Sequence, residues 1–283
     1  MRLDSLHHLC DNLTTRAMTQ PAIPSPAASL VLLRDRPATE VEVLLLQRHA
    51  RSKFAAGDYV FAGGKIEADD MPPDGESFCR GLTAGHAAAR LGGGLAPREA
   101  LSYWVGAIRE AFEEVGVLLA YDADGRLLSI GPEVRSRYEA YRATTQRANP
   151  AFFDMLRTEH LTLATDRLAY FAHWITPEER PIRFDTRFFA AVMPPVQEPV
   201  VDGHEIVDLK WLTPAEAKAA LRRKEIGLRT PTIKNLELVA AGGSPASQVV
   251  ESLGRREVQT IRPRMLQVDG EPQAVLPGDP RWY

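Results

Sequence analysis

The sequence predicts an α/β protein built in layers, and three observations carry that reading. Short runs of apolar, β-type residues recur along the chain, at 30–33, 41–46, 168–175, 187–193 and 206–211. Stretches with helical apolar spacing lie between them, the longest over 97–115. Hydrophobic residues make up 45% of 283, ample for a buried core between layers of strand and helix.

Taken in order, residues 1–27 read as an N-terminal arm, because 19–28 is rich in Pro, Ala and Ser and Met18 offers an alternative start. A domain over 28–242 follows, opened by the strands at 30–33 and 41–46. The sequence VFAGGKIE then brings Gly63 and Gly64 together, and paired glycines let a backbone approach a ligand closely. The helix over 97–115 is signalled by Pro97 in its first turn, by Leu101, Trp104, Val105, Ile108, Phe112 and Val115 at helical spacing, and by Gly116 as its C-terminal cap. Short extended pieces are expected at 118–121 and 127–129, and helices at 133–147 and 151–159. The strands at 168–175, 187–193 and 206–211 come next, then helices at 214–224 and 231–241. The extension 243–283, punctuated by Pro and Gly, reads as a packing arm or a homodimer arm.

Function is concentrated in REAFEEVGV, residues 109–117. On a helix, Glu110, Glu113 and Glu114 crowd onto one face, where like charges repel. A solvated helix interleaves Lys or Arg at such spacing, so three acids ahead of a helix-ending glycine call for a cation. Magnesium or manganese is the natural choice, since hard cations prefer carboxylate oxygens.

With the glycine pair upstream, this helix resembles the Nudix box, G-x5-E-x7-R-E-U-x-E-E-x-G-U, where U is bulky and apolar. Gly64 matches the opening glycine, and Arg109, Glu110, Glu113, Glu114, Gly116 and Val117 match the second half. Asp70 stands where the family has Glu, and Ala111 is smaller than usual. Residues 71–108, 38 in all, replace the usual seven, an excursion rich in Gly, Ala and Pro with one short helix around 86–91. It reads as a lid or specificity element. A box split in this way is similar to that of the animal peroxisomal coenzyme A diphosphatases and their bacterial relatives. LLLQRHARSKFAAGDYVFAGG over 44–64 keeps the spacing of that subgroup's coenzyme A signature. Arg48, Gly57, Phe61, Gly63 and Gly64 match it, and His49, Lys53 and Ala62 depart from it. Lys53 stands in an arginine position and lacks the bidentate fork for phosphate. The segments 185–194 and 204–217 resemble later strands and the closing helix of the subgroup.

The resemblance implies a mixed β-sheet sandwiched between helices, with a helical insertion and a C-terminal extension. It also implies hydrolysis of a diphosphate assisted by Mg2+ or Mn2+. Glu113 and Glu114 are the first candidate metal ligands, Glu110 binds metal or removes a proton, and the Gly64 carbonyl reaches the metal. Arg109, grouped with the catalytic set, holds a glutamate by a charge-assisted pair. Glu205, or Glu198, near the turn at 200–204, is a candidate further acid. Arg48, Arg51 and Lys53 are expected to meet substrate phosphates beside Gly63 and Gly64. Coenzyme A is the favoured substrate, cut to adenosine 3′,5′-bisphosphate and 4′-phosphopantetheine. The alternatives are another nucleoside diphosphate derivative, such as ADP-ribose or NADH, and a Nudix module that binds a nucleotide without cutting it.

Composition sets the outer bounds. A net charge of −3 and a pI near 6.2 give no general attraction to nucleic acid or to an anionic membrane. No run is long enough to span a bilayer, and the N-terminus lacks the apolar core of a secretion signal. Cys10 and Cys79 make neither a disulfide framework nor a zinc spacing, which fits a reducing cytoplasm. The C-terminus is not a Ser-Lys-Leu address, also favouring a cytoplasmic, bacterial-type protein. His49, His173 and His204 read as structural or surface residues, and His7 and His8 fall in the arm.

Overall fold

The computed structural model describes residues 21–37, 40–268 and 270–282. Cys10, His7, His8, Met18 and most of the 1–27 arm lie outside the described residues.

Strand β1 (Ser25–Arg36) runs down the middle of the molecule. Its sequence SLVLL has no polar alternation because both of its faces are covered. Leu30 and Leu32 enter one hydrophobic cluster, and Val31 and Leu33 enter another on the opposite face. The same division recurs in β2 (Glu40–Arg48), where Leu44 and Leu46 face one way and Val43 and Leu45 the other. After a loop come β3 (Tyr59–Val60) and β4 (Ala62–Lys65), the latter carrying the glycine pair. Helices α1 (Ala84–Leu91) and α2 (Pro97–Val115) follow. Next are β5 (Ala120–Tyr121), α3 (Pro132–Thr145), α4 (Pro150–Thr158), β6 (Thr162–Leu163), β7 (Ala169–Ile175) and β8 (Phe184–Val192). The chain continues through β9 (Ile206–Leu212), α5 (Pro214–Arg222), α6 (Thr230–Ala241), α7 (Ala246–Gly254) and β10 (Thr260–Ile261). It closes with a hairpin of β11 (Arg264–Val268) and β12 (Glu271–Val275).

Eight strands form one mixed sheet in the order β10-β7-β8-β1-β2-β3, with β4 on β1 and β9 on β2. β1 pairs parallel with β8 and antiparallel with β2 and β4. One face is covered by α2, α4 and the apolar side of α1, the other by α5, α6 and α7. This is the sandwiched mixed sheet implied by the resemblance.

The structure sharpens three boundaries of the sequence reading. β1 begins at Ser25, inside the segment read as arm, because Ser25 donates to the Arg183 carbonyl and pairs beside Phe184. Within 71–108, residues 97–108 are the first turns of α2, so the excursion proper ends at the start of that helix. The excursion is held down: α1 buries Ala84 and Ala87 against α2, Phe78 packs edge-on against Phe153, and Asp74 pairs with Arg157 at 2.9 Å. Finally, the extension beyond 242, read as a packing arm or a homodimer arm, packs on the sheet: α7 buries Ala246, Val249 and Leu253 in the second cluster and β10 joins the sheet.

Candidate active site

The 19-residue helix α2 forms where expected, with Pro97 in its first turn and Gly116 in the left-handed conformation at its C-terminus. Its last two turns pass beneath β4. Gly63 and Gly64 are required there by space. A Cβ on Gly63 would lie 2.4 Å from the Ala28 carbonyl oxygen, and one on Gly64 would lie 2.5 Å from Glu110 Oε1. The Gly63 N–H donates to Glu114 Oε2 at 2.9 Å, fixing strand and helix to each other at the site.

Arg109 organises the carboxylates. Its Nε donates to Asp70 Oδ1 at 2.5 Å and its Nη2 to Asp70 Oδ2 at 3.0 Å and to the Lys65 carbonyl at 2.9 Å. Its Nη1 donates to Glu110 Oε1 and Glu113 Oε2, both at 2.9 Å. All five guanidinium N–H groups are therefore used, and the residue is only 2% exposed. Asp70, at the end of a 3-10 turn over Ala68–Asp70, is 1% exposed and also accepts the Glu67 N–H at 2.8 Å. The two halves of the split box, 39 residues apart in sequence, thus meet in a buried bidentate ion pair. Gly106 makes room for that turn, since a Cβ there would stand 3.1 Å from Asp70 Oδ2.

The electrostatics follow from burial. Burial pushes Glu110 up to about 7, against the pull of Arg109 and with a further push from Glu113. Glu114 is held well above the usual carboxylate range by burial and by Glu110, opposed by the Gly63 hydrogen bond. Glu113 is raised by burial and lowered by Arg109. Burial alone would lower Arg109, but the Asp70 hydrogen bond and the charges of Glu110, Asp70 and Glu113 outweigh it and hold the guanidinium above its ordinary value. Asp70, Glu110 and Glu113 thus share the buried Arg109 guanidinium, Glu114 lies beside them on the Gly63 N–H, and Glu113 Oε1 is a buried oxygen with no partner among the described residues. An excess of hard oxygen donors with one orphaned atom fits a divalent cation. Among the described residues, however, no three such side chains are gathered as a ready-made metal cage, because the Arg109 Nη1 group lies between Glu110 and Glu113.

Of the other residues read from the sequence, the structure brings Arg48 and Glu205 to this site. They pair at 2.5 Å, and the Glu205 charge adds to the upward push on Glu113 and Glu114. Glu205 is set by Asp202, whose Oδ1 accepts from the N–H groups of His204, Glu205 and Ile206. Glu198 turns away to Arg135 at 3.3 Å. Arg51 and Lys53 are exposed on the loop between β2 and β3, and neither side chain makes an ion pair among the described residues. His173 is structural: its ring joins Thr260 to Asp185 between strands.

Sequence reasoning missed two residues beneath the site, Arg142 and Gln146 on and just after α3, which hydrogen-bond backbone carbonyls at the end of α2. No motif marks them, because their contacts depend on how α3 docks.

A glycine pair closed over an REAFEEVG helix within a mixed sheet defines a Nudix fold. A solved Nudix hydrolase from Alicyclobacillus acidocaldarius shares it, with a TM-score of 0.62 and 26% identity over 80% of this chain and 93% of that one. The match to a family model described as the NUDT19 Nudix domain covers residues 84–239, more than half of the sequence, and the chain belongs to that family. Among similar proteins, an acyl-coenzyme A diphosphatase NUDT19 from Homo sapiens is 31% identical over 259 residues, and one from Xenopus laevis is 27% identical over 226 residues. These matches cover 78% and 70% of this chain, and the chain spans 66% and 59% of the length of those relatives.

Proposed function

We propose that this chain is a metal-dependent Nudix hydrolase. It cleaves the diphosphate of coenzyme A or acyl-coenzyme A to adenosine 3′,5′-bisphosphate and 4′-phosphopantetheine or its acyl form. The observation that carries the reading is the rejoined box: Asp70 grips Arg109, and Arg109 in turn presents Glu110 and Glu113 beneath the Gly63–Gly64 strand. The names of the human and frog relatives point the substrate to coenzyme A.

Glu110, Glu113 and Glu114, with the Gly64 carbonyl, would hold Mg2+ or Mn2+. When bound, such an ion neutralises phosphate charge and makes water a better nucleophile. The glycine pair keeps side chains out of the space above Glu110, and Glu205, once released from Arg48, would take a proton from the attacking water. Arg48 would then be free to meet a phosphate oxygen. In the overall reaction water oxygen bonds one phosphorus, the bridging oxygen leaves on the other, and the water protons pass to the base and to solvent. Arg51 and Lys53, exposed on the loop that follows Arg48, suit the remaining phosphates of a nucleotide.

Arg109 standing between Glu110 and Glu113 also favours a second reading, a module that binds the nucleotide and leaves it intact. Mass-spectrometric product analysis separates the readings. Purified protein with Mg2+ is given an equimolar mixture of coenzyme A, dephospho-coenzyme A, ADP-ribose and NADH. Early release of 4′-phosphopantetheine together with adenosine 3′,5′-bisphosphate is expected. Preference for ADP-ribose or NADH would overturn the substrate, and tight binding with no product would favour the second reading.

A further inference from the structure

Below the proposed metal site lies a buried cation that makes no ion pair among the described residues. Arg142, on the inner face of α3 beside Tyr138 and Thr145, is 8% exposed. Its guanidinium faces three backbone carbonyls. Nε donates to the Glu113 carbonyl at 2.9 Å, Nη2 to the Glu114 carbonyl at 2.6 Å, and Nη1 to the Val200 carbonyl at 2.8 Å. Gln146 adds a bond from Nε2 to the Glu113 carbonyl at 2.6 Å.

Two of these carbonyls are among the last of α2, which the helix itself cannot satisfy, and a cation there also opposes the helix dipole. They belong to Glu113 and Glu114. The third opens the loop that leads to Glu205, and that loop is tied again to the helix end by the Val200 N–H on the Val115 carbonyl at 2.9 Å. From Val200 the loop is short and braced by Asp202, so fixing Val200 restricts Glu205. Burial lowers the Arg142 pKa, and the charges of Asp202, Glu114 and Glu139 oppose the change. A buried guanidinium held only by carbonyls costs desolvation, whereas an apolar side chain would fill the same space without that cost.

We propose that Arg142 is a positioning residue that holds the metal-binding turn of α2 and the Glu205 loop in a single arrangement, so that both sources of acid face the same substrate. The inference rests on the hydrolase reading above. Planarity is essential to it: a guanidinium reaches three carbonyls in its own plane, and a lysine ammonium cannot reproduce that fork.

The test compares wild type with Arg142→Lys, which keeps the charge, and Arg142→Gln. Three quantities are read: Mn2+ affinity by electron paramagnetic resonance without substrate, kcat and KM for coenzyme A, and amide hydrogen exchange. In folded Arg142→Lys, Mn2+ affinity should fall roughly 10–100-fold, the range for losing a partner that orients metal ligands, and kcat should fall with KM little changed. Exchange should rise together at 113–117 and 198–205, with α5 to α7 unaffected. Wild-type Mn2+ affinity and exchange in the Lys variant would overturn the proposal, as would a rise in exchange across the whole chain, which marks general destabilisation. If wild type binds no Mn2+, the hydrolase reading fails instead, and the exchange pattern still decides whether Arg142 couples helix to loop.

Discussion

Each acid at the site has its role set by what it touches. Glu114 is buried and bonded to the Gly63 N–H, Glu113 keeps one oxygen without a partner, and Glu110 lies directly under Gly64. Glu114→Gln preserves the shape and the Gly63 acceptor while removing the charge. It is expected to fold normally by circular dichroism and to lose about 100-fold in metal-dependent turnover, equivalent to about 3 kcal/mol of transition-state stabilisation. Near-normal activity in the folded variant would remove Glu114 from the mechanism. These acids were legible in the sequence because helical spacing alone puts them on one face. The Arg48–Glu205 pair and the Arg142 fork were not legible as contacts, since each joins elements whose docking no local pattern specifies.

At the scale of elements, α2 was read from the sequence with its observed bounds, 97–115, because apolar periodicity, an N-terminal proline and a C-terminal glycine all agree there. Helix α7 shows the opposite case. Only nine residues long and flanked by Pro245 and Arg255, it carries Val249 and Leu253 four apart, too short a pattern to stand out from a Pro- and Gly-punctuated tail. Packing decides it: Leu253 is buried against the sheet face opposite α2. Leu253→Ala should therefore destabilise the whole protein by about 2–5 kcal/mol, the range for a cavity in a core. Urea unfolding with unchanged slope checks this, and a midpoint equal to wild type would return the segment to the status of an arm.

Across the whole molecule, a polar chain ties the sheet edge to α2. Thr260 on β10 bonds His173 on β7 at 2.8 Å, His173 bonds Asp185 on β8, and Arg187 joins Asp185 at 2.8 Å to the Tyr103 hydroxyl at 2.8 Å. Burial would raise Asp185, but the His173 hydrogen bond and the Arg187 charge outweigh it and hold the carboxyl below its usual range. A depressed carboxyl stabilises the fold above its unfolded value near 4 and loses that contribution as pH falls through the folded value. Asp185→Asn should accordingly cost about 2 kcal/mol at neutral pH. The gap from wild type should narrow as pH falls below about 4, where the carboxyl of the unfolded chain takes up its proton, and should close once the depressed folded carboxyl is protonated as well. An equal gap in urea midpoints at pH 7 and pH 3 would contradict this assignment.

The central claim is that a box interrupted in sequence is whole in space, closed by Asp70 on Arg109. Asp70→Asn tests it directly, because Asn offers one acceptor oxygen where Asp70 accepts two Arg109 bonds and the Glu67 N–H, leaving a buried guanidinium donor unsatisfied. On the proposed hydrolase reading, metal-dependent cleavage of coenzyme A by the folded variant should fall about 100-fold, in line with an error of about 3 kcal/mol in placing Glu110 and Glu113. Turnover within a few-fold of wild type would mean that the first half of the box does not serve this site.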